Sequence, residues 1–357
     1  MNFDYSEEQQ LLADSVRRFL ARDYEFEARR KIVASAGGWS PKVWATFAEM
    51  GLTGLPFPAE HGGFGGGAVD LMGVMEAFGE TLVVEPYLPT VMAGRIAARS
   101  PLAGTILPQV IEGRMKLAFA HAEKGARYDL ACINARASRK GNGWVLEGEK
   151  AAVVGAPMAD KLVVSARTSD GVALFLTDKV EGHPYPTLDG MRAADLVFHQ
   201  TKAERLPGGL ELIEEVVDFA TALACAEAVG AMKFACDSTL EYLKTRKQFG
   251  VPIGTFQALQ HRMVDMVIAQ EQARSMACLA CSKVDQSGDA KERMRSVSAA
   301  KIKIADSARH VSQEAVQLHG GMGMSEELKI SHTFRRLTVL AAQFGDADHH
   351  LQRFAGL

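Results

Sequence analysis

Residues 242–266 read YLKTRKQFGVPIGTFQALQHRMVDM. A helical run ends near Thr245, residues 246–256 form a turn carrying Gly250 and Gly254, and a helical pattern resumes at Gln257. Upstream, 211–246 contains no helix breaker except Gly230. Downstream, 257–286, 289–319 and 325–341 read as further long helices. Long helices joined by short turns predict an antiparallel four-helix bundle over 209–357.

Towards the N-terminus the pattern changes. LAFA (117–120), GWVLEGEKAAVV (143–154), KLVVSAR (161–167), VALFLT (172–177) and ADLVFHQ (194–199) are β-prone runs separated by turn residues. They predict a barrel-like β domain over 114–208, closed by LPGGLE (206–211). Residues 1–113 are helical again. Ser6 is an expected N-cap for a helix burying Leu11, Leu12, Val16, Phe19 and Leu20. Ser40-Pro41 opens a second helix facing inward through Val43, Trp44, Phe47 and Met50. Helices are expected again at 68–82, 86–98 and 101–112. The fold class is therefore mainly α with a central β domain. The glycine-dense loop 55–67 follows no strand and lacks a Lys-Ser/Thr ending, so it reads as a connection and not as a phosphate loop.

The chain has 357 residues, 47% hydrophobic, with net charge −3. That balance offers no basic field for nucleic acid, and no apolar stretch reads as a membrane span of the ~20 residues required. An acidic, polar N-terminus and five unpatterned cysteines point to a reducing compartment, the cytoplasm.

Two stretches carry ligand chemistry. RKQFG offers Arg246, whose planar guanidinium can clamp a pyrophosphate through two parallel bonds, with Gln248 and Phe249 shaping the turn and Gln257 just beyond it. QLHGGMGM (317–324) offers the Gln317 amide and, at Gly320 and Gly321, a backbone that a ligand can approach closely. Taken singly, Arg246 could pair with a carboxylate and the glycines could merely stop a helix.

Together, and in this order across the whole chain, these motifs resemble the acyl-CoA dehydrogenase family. The resemblance implies FAD bound between subunits. One subunit holds the flavin ring with its β domain, and a neighbour contributes RKQFG-type and QxxGG-type segments to the pyrophosphate and adenosine. It implies an acyl-CoA thioester as substrate. A carboxylate removes the α-proton while a hydride leaves the β-carbon for the flavin.

Several positions depart from the family pattern. The stretch matching the family's flavin-binding TEPxxGSD segment is AEKGARYD (122–129). Glu123, Gly125 and Asp129 persist, but Ala122 has no hydroxyl, and Arg127 and Tyr128 are bulky. Where the family sets an aromatic and a Thr or Ser against the flavin, KAAVVGA (150–156) places Ala152 and Val154, so a flavin there would rely on backbone groups. The usual base, a Glu before a glycine, falls on Phe344 before Gly345. The alternative base position falls on Ala220. Asp346 is the nearest replacement base, or else a helix cap. Asp218 is offset by two residues from Ala220, roughly 200° around a helix, and so faces away.

The pattern resembles the small, base-lacking subunits of heteromeric acyl-CoA dehydrogenases of the pimeloyl-CoA or steroid side-chain type. It implies a homologous partner subunit that provides the flavin pocket and the base. A self-sufficient homo-oligomer using Asp346, and a scaffold that kept only the fold, are the alternatives. Cys278-x-x-Cys281 reads as helix packing, and Asp346 with His349 lacks the facing ligands a metal needs. His319 reads as a packed residue, and the His349-His350 pair as structure or interface.

Overall fold

The computed structural model describes residues 5–286 and 288–357. The elements are α1 (Glu7–Asp23), α2 (Phe26–Ala34), α3 (Pro41–Glu49), α4 (Ala68–Thr81), α5 (Tyr87–Ala97), α6 (Ala103–Ile111), β1 (Leu117–Ala120), β2 (Arg136–Lys140), β3 (Gly143–Val154), β4 (Lys161–Thr168), β5 (Gly171–Asp178), β6 (Gly182–Pro186) and β7 (Arg192–Leu206). They continue with α7 (Leu210–Thr245), β8 (Lys247–Gln248), β9 (Val251–Pro252), α8 (Gln257–Gln286), α9 (Ala290–His319), α10 (Lys329–Ala342) and α11 (Ala347–Ala355). Two compact units form, one from residues 5–30, 68–83 and 221–357, the other from 31–67 and 84–220.

In the second unit the strands pair in the order β1-β4-β2-β3-β7-β5, and β5 also pairs with β4, which closes the sheet on itself as a barrel. β4 buries Leu162 through Ala166 without alternation, as a strand covered on both faces does. Its core includes Leu162, Val164, Phe175 and Phe198, with Trp144 packed against Phe175 at 5.4 Å. Two strands are not legible in the sequence. β2 (RASRK) is polar and mostly exposed, and β6 (GHPYP) carries Pro184 and Pro186, which its edge position tolerates because it pairs only with β7.

In the first unit α1 starts at a reciprocal capping box between Ser6 and Gln9. α4 crosses α7 at two glycines. A methyl group on Gly79 would lie 1.9 Å from the Glu227 carbonyl oxygen, and one on Gly230 would lie 1.9 Å from that of Glu76. Gly230 therefore does not break α7; it lets two backbones touch. Burial raises the Glu76 carboxyl, and Arg274 and Arg17 at 3.5 and 3.4 Å oppose that shift. Arg336 and Glu227, both buried, form an ion pair at 2.6 Å.

Contrary to the expectation that no stretch is apolar enough to span a membrane, α7 is long and apolar enough by length and composition. Its most apolar window is 89% buried within the protein. A core helix apolar on all sides has this composition. The helix expected from 325 begins at Lys329, and α2 and α11, nine residues each, were too short to show a periodicity of their own.

Candidate cofactor site

β8 and β9 pair with Gln248 opposite Val251, so RKQFGVP is a two-residue hairpin. Phe249 (φ 54°) and Gly250 (φ 81°) both occupy the left-handed region, the pattern of a type I′ turn. Glycine accepts this freely and phenylalanine does not, yet the Phe249 side chain is 92% exposed. The Arg246 N–H donates to the Tyr242 carbonyl and its own carbonyl accepts from Ile253 N–H, both at 2.8 Å, which ties the hairpin to the end of α7. Arg246, Gln248 and Gln257, the first residue of α8, are exposed. Beside the hairpin runs an apolar cleft of about 670 Å³, lined in part by Leu240, Leu243, Pro252, Met263, Val264 and Val267.

Gln317 lies exposed in the last turn of α9, and the chain turns at Gly320 (φ 61°, ψ −145°). A methyl group on Gly320 or Gly321 would meet nothing within 4 Å, whereas one on Gly323 would strike the Val316 carbonyl at 2.5 Å. Packing requires glycine at 323. At 321 the open backbone leaves room for a ligand. His319 and Tyr242 connect this corner to the hairpin, their rings stacked at 4.4 Å and 25°. The Ala315 carbonyl can only accept, so His319 donates from Nδ1 at 2.8 Å, and burial lowers its pKa. The sequence reads His319 as packed, but its stacking partner Tyr242 is not legible there, because the contact depends on two helix ends meeting.

The base position lies elsewhere in the same unit. Phe344 (φ 62°) and Gly345 (φ 123°) form a left-handed corner. A methyl group on Gly345 would lie 2.5 Å from His350 Nε2. His350 is buried, with Nε2 3.1 Å from the Phe344 carbonyl and Nδ1 3.2 Å from Ser298 Oγ. Because the carbonyl can only accept, Nε2 carries the proton and Nδ1 accepts from the serine. Burial, then Lys301 and His349, push the His350 pKa down to about 3. Buried Lys301 donates to the carbonyl of Leu340, one of the unpaired acceptors at the end of α10, and burial lowers its pKa to about 8. Asp346 is the N-cap of α11, accepting from His349 N–H at 2.9 Å. In the other unit, Ala220 and Asp218 are buried within α7.

In the β domain, Glu123 accepts from the Asn134 and Ala135 N–H groups at 2.7 and 3.0 Å and from Lys150 Nζ at 2.7 Å. Lys150 also donates to the His121 carbonyl and to Ser165 Oγ. Burial and the Lys150 charge lower the His121 pKa to about 4. Arg127 (φ 49°) is exposed, and Asp129 accepts from Ala131 N–H. Ala152 (φ 52°) is exposed, and its N–H donates to Asp195 Oδ1 at 2.9 Å, an oxygen that also accepts from Tyr185 O–H at 2.9 Å. These two bonds hold the Asp195 carboxyl below the usual range. Val154 pairs with Ala193 in the sheet. Thus the Ala152 backbone donor, one of the groups in this segment, is satisfied within the chain.

The Cys281 thiol is buried towards the Ala222 carbonyl and Cys278 is half-buried. Among the described residues no three His, Cys, Asp or Glu side chains gather as a metal site.

Comparison with known proteins places the chain. Residues 6–99, 118–201 and 208–355 match the N-terminal, middle and C-terminal domains of acyl-CoA dehydrogenases, and the chain belongs to that family. Members of this family are flavoprotein oxidoreductases acting on CH–CH bonds, with FAD as cofactor. The chain is 29% identical over 352 residues to the acyl-CoA dehydrogenase IpdE2 of Mycolicibacterium smegmatis, covering 98% of each. The ChsE4–ChsE5 complex from Mycobacterium tuberculosis is similar at 25% identity and a TM-score of 0.92, covering all of this chain and 98% of that one. An FAD complex of PigA matches at 25% identity and a TM-score of 0.91, with the same coverage. The fold class expected from the sequence is the one found.

The hairpin and the glycine corner fit a dinucleotide, with an exposed guanidinium, an exposed amide and a backbone face open at Gly320 and Gly321. In the β domain's flavin segment Ala152 and Val154 offer no side-chain donors, and the Ala152 N–H is engaged by Asp195.

Proposed function

We propose that this chain is one subunit of a heteromeric FAD-dependent acyl-CoA dehydrogenase of the cytoplasm. It completes an FAD site whose flavin pocket and base belong to a homologous partner subunit. Bound FAD supplies the hydride acceptor for α,β-desaturation of an acyl-CoA thioester. This chain's part is binding. Arg246 pairs with the pyrophosphate through its fork, Gln317 donates its amide, and the Gly320–Gly321 backbone lets the dinucleotide lie close. Gln248, Phe249 and Gln257 frame the same edge. Phe344 cannot accept the α-proton, so that proton leaves to a carboxylate of the partner subunit.

One observation carries the reading. An apolar side chain occupies the base position, on a corner fixed by a buried histidine, while the hairpin and glycine corner remain open to solvent. The similarity to the ChsE4–ChsE5 complex supports a two-subunit assembly. The test is purification of this chain alone and after co-expression with a homologous subunit. The expected result is a colourless, inactive single chain and a yellow, active pair. A yellow preparation of the chain alone that oxidises acyl-CoA overturns the proposal and favours the homo-oligomer. Absence of flavin from every assembly favours a scaffold.

A further inference from the structure

We infer that the Tyr242–His319 ring stack is a positioning element for the dinucleotide, fixing the separation between the Arg246 hairpin and the Gln317–Gly321 corner. The inference builds on the FAD-binding reading above. Tyr242 stands one helical turn before Arg246 and holds its N–H through the Tyr242 carbonyl at 2.8 Å. His319 immediately precedes Gly320 and is anchored to its own helix through the Ala315 carbonyl at 2.8 Å. The rings meet at 4.4 Å and 25°, with His319 4% exposed. Tyr242 lies one turn before the hairpin and His319 directly before the glycine corner, so the stack is a direct contact between the two ligand-holding segments. A ligand that bridges both segments binds best when their separation is set in advance, because ordering them at binding subtracts from affinity. The stack needs two flat rings and no proton transfer. His319 is buried and its pKa lowered, which keeps the imidazole neutral against the phenol ring. His319 is a positioning residue here, without contact to the reacting atoms.

The test compares His319→Phe, His319→Leu and Tyr242→Leu, each with the wild type, in whichever assembly binds FAD. FAD dissociation constants are read by flavin fluorescence and melting temperature by calorimetry. His319→Phe, which keeps a flat ring, is expected to bind FAD within about twofold of wild type. His319→Leu and Tyr242→Leu, which fill the volume without stacking, each weaken it by about fivefold to tenfold, the size of an aromatic pair interaction. The double variant loses no more than either single one. An unchanged constant in His319→Leu, additive losses in the double variant, or a phenylalanine variant as weak as the leucine variant overturns the inference while leaving the functional reading intact. Wild-type assemblies that never bind FAD overturn both.

Discussion

His350 holds the Phe344 corner from beneath, donating from Nε2 to the Phe344 carbonyl at 3.1 Å and accepting at Nδ1 from Ser298. The contact fixes a left-handed phenylalanine that the backbone alone would resist. Burial beside Lys301 requires the imidazole to stay neutral.

That requirement has a pH signature. His350, at about 3 in the fold, and His121, at about 4, both lie below the value of 6.5 from which burial displaces them. The unfolded chain therefore binds more protons than the folded one in that interval. The stability these residues contribute is present above about pH 6.5 and is lost as pH falls towards the folded values. Urea unfolding across this window should show stability declining by up to ~1.4 kcal/mol per pH unit for each histidine. His350→Gln, which can still donate to the carbonyl, should flatten the slope. An unchanged slope in that variant would show that His350 takes no part.

Asp346 is expected to behave as a cap. Asp346→Asn keeps an oxygen for His349 N–H and should change stability by less than about 0.5 kcal/mol, while Asp346→Ala costs about 1 kcal/mol. In an active assembly Asp346→Asn should retain turnover. Loss of turnover with stability intact would identify Asp346 as the base.

The two glycines of the corner that differ in packing should separate fold from binding. Gly321→Val places its side chain in open space, so the melting temperature should hold while FAD affinity falls at least about tenfold. Gly323→Ala drives a methyl group against the Val316 carbonyl and should destabilise the chain by roughly 1–3 kcal/mol. If both variants lose stability equally, the open face at 321 is not a ligand surface.

Phe249 occupies a left-handed turn position that asparagine favours. Phe249→Asn should leave the isolated chain as stable or up to ~1 kcal/mol more so, since it relieves the strain. The same change should weaken subunit assembly or FAD retention, measured by sedimentation and by flavin absorbance. Gain of stability with assembly untouched would leave the exposed ring without the proposed role.

The order of the three domains, the long helices and the motifs that define the family are legible in the sequence. Helical periodicity over thirty residues and glycines beside a turn are local signals, written in consecutive residues. The sequence by itself also determined that Phe344 stands where a base is expected, because that is a matter of counting from Gln317. The polar β2 and the proline-bearing β6 escaped, since only pairing with a neighbouring strand makes them strands. Tertiary structure alone decided how Gly230 is used, what holds Phe344 and what occupies the Ala152 N–H. Gly230 meets Glu76 over 150 positions away in the chain, His350 turns back onto the corner before it, and Asp195 reaches Ala152 from another strand. Each depends on a contact between segments whose separation in sequence says nothing of their distance in space. The same holds for the Tyr242–His319 stack, where two helix ends that look like unrelated stops meet ring to ring.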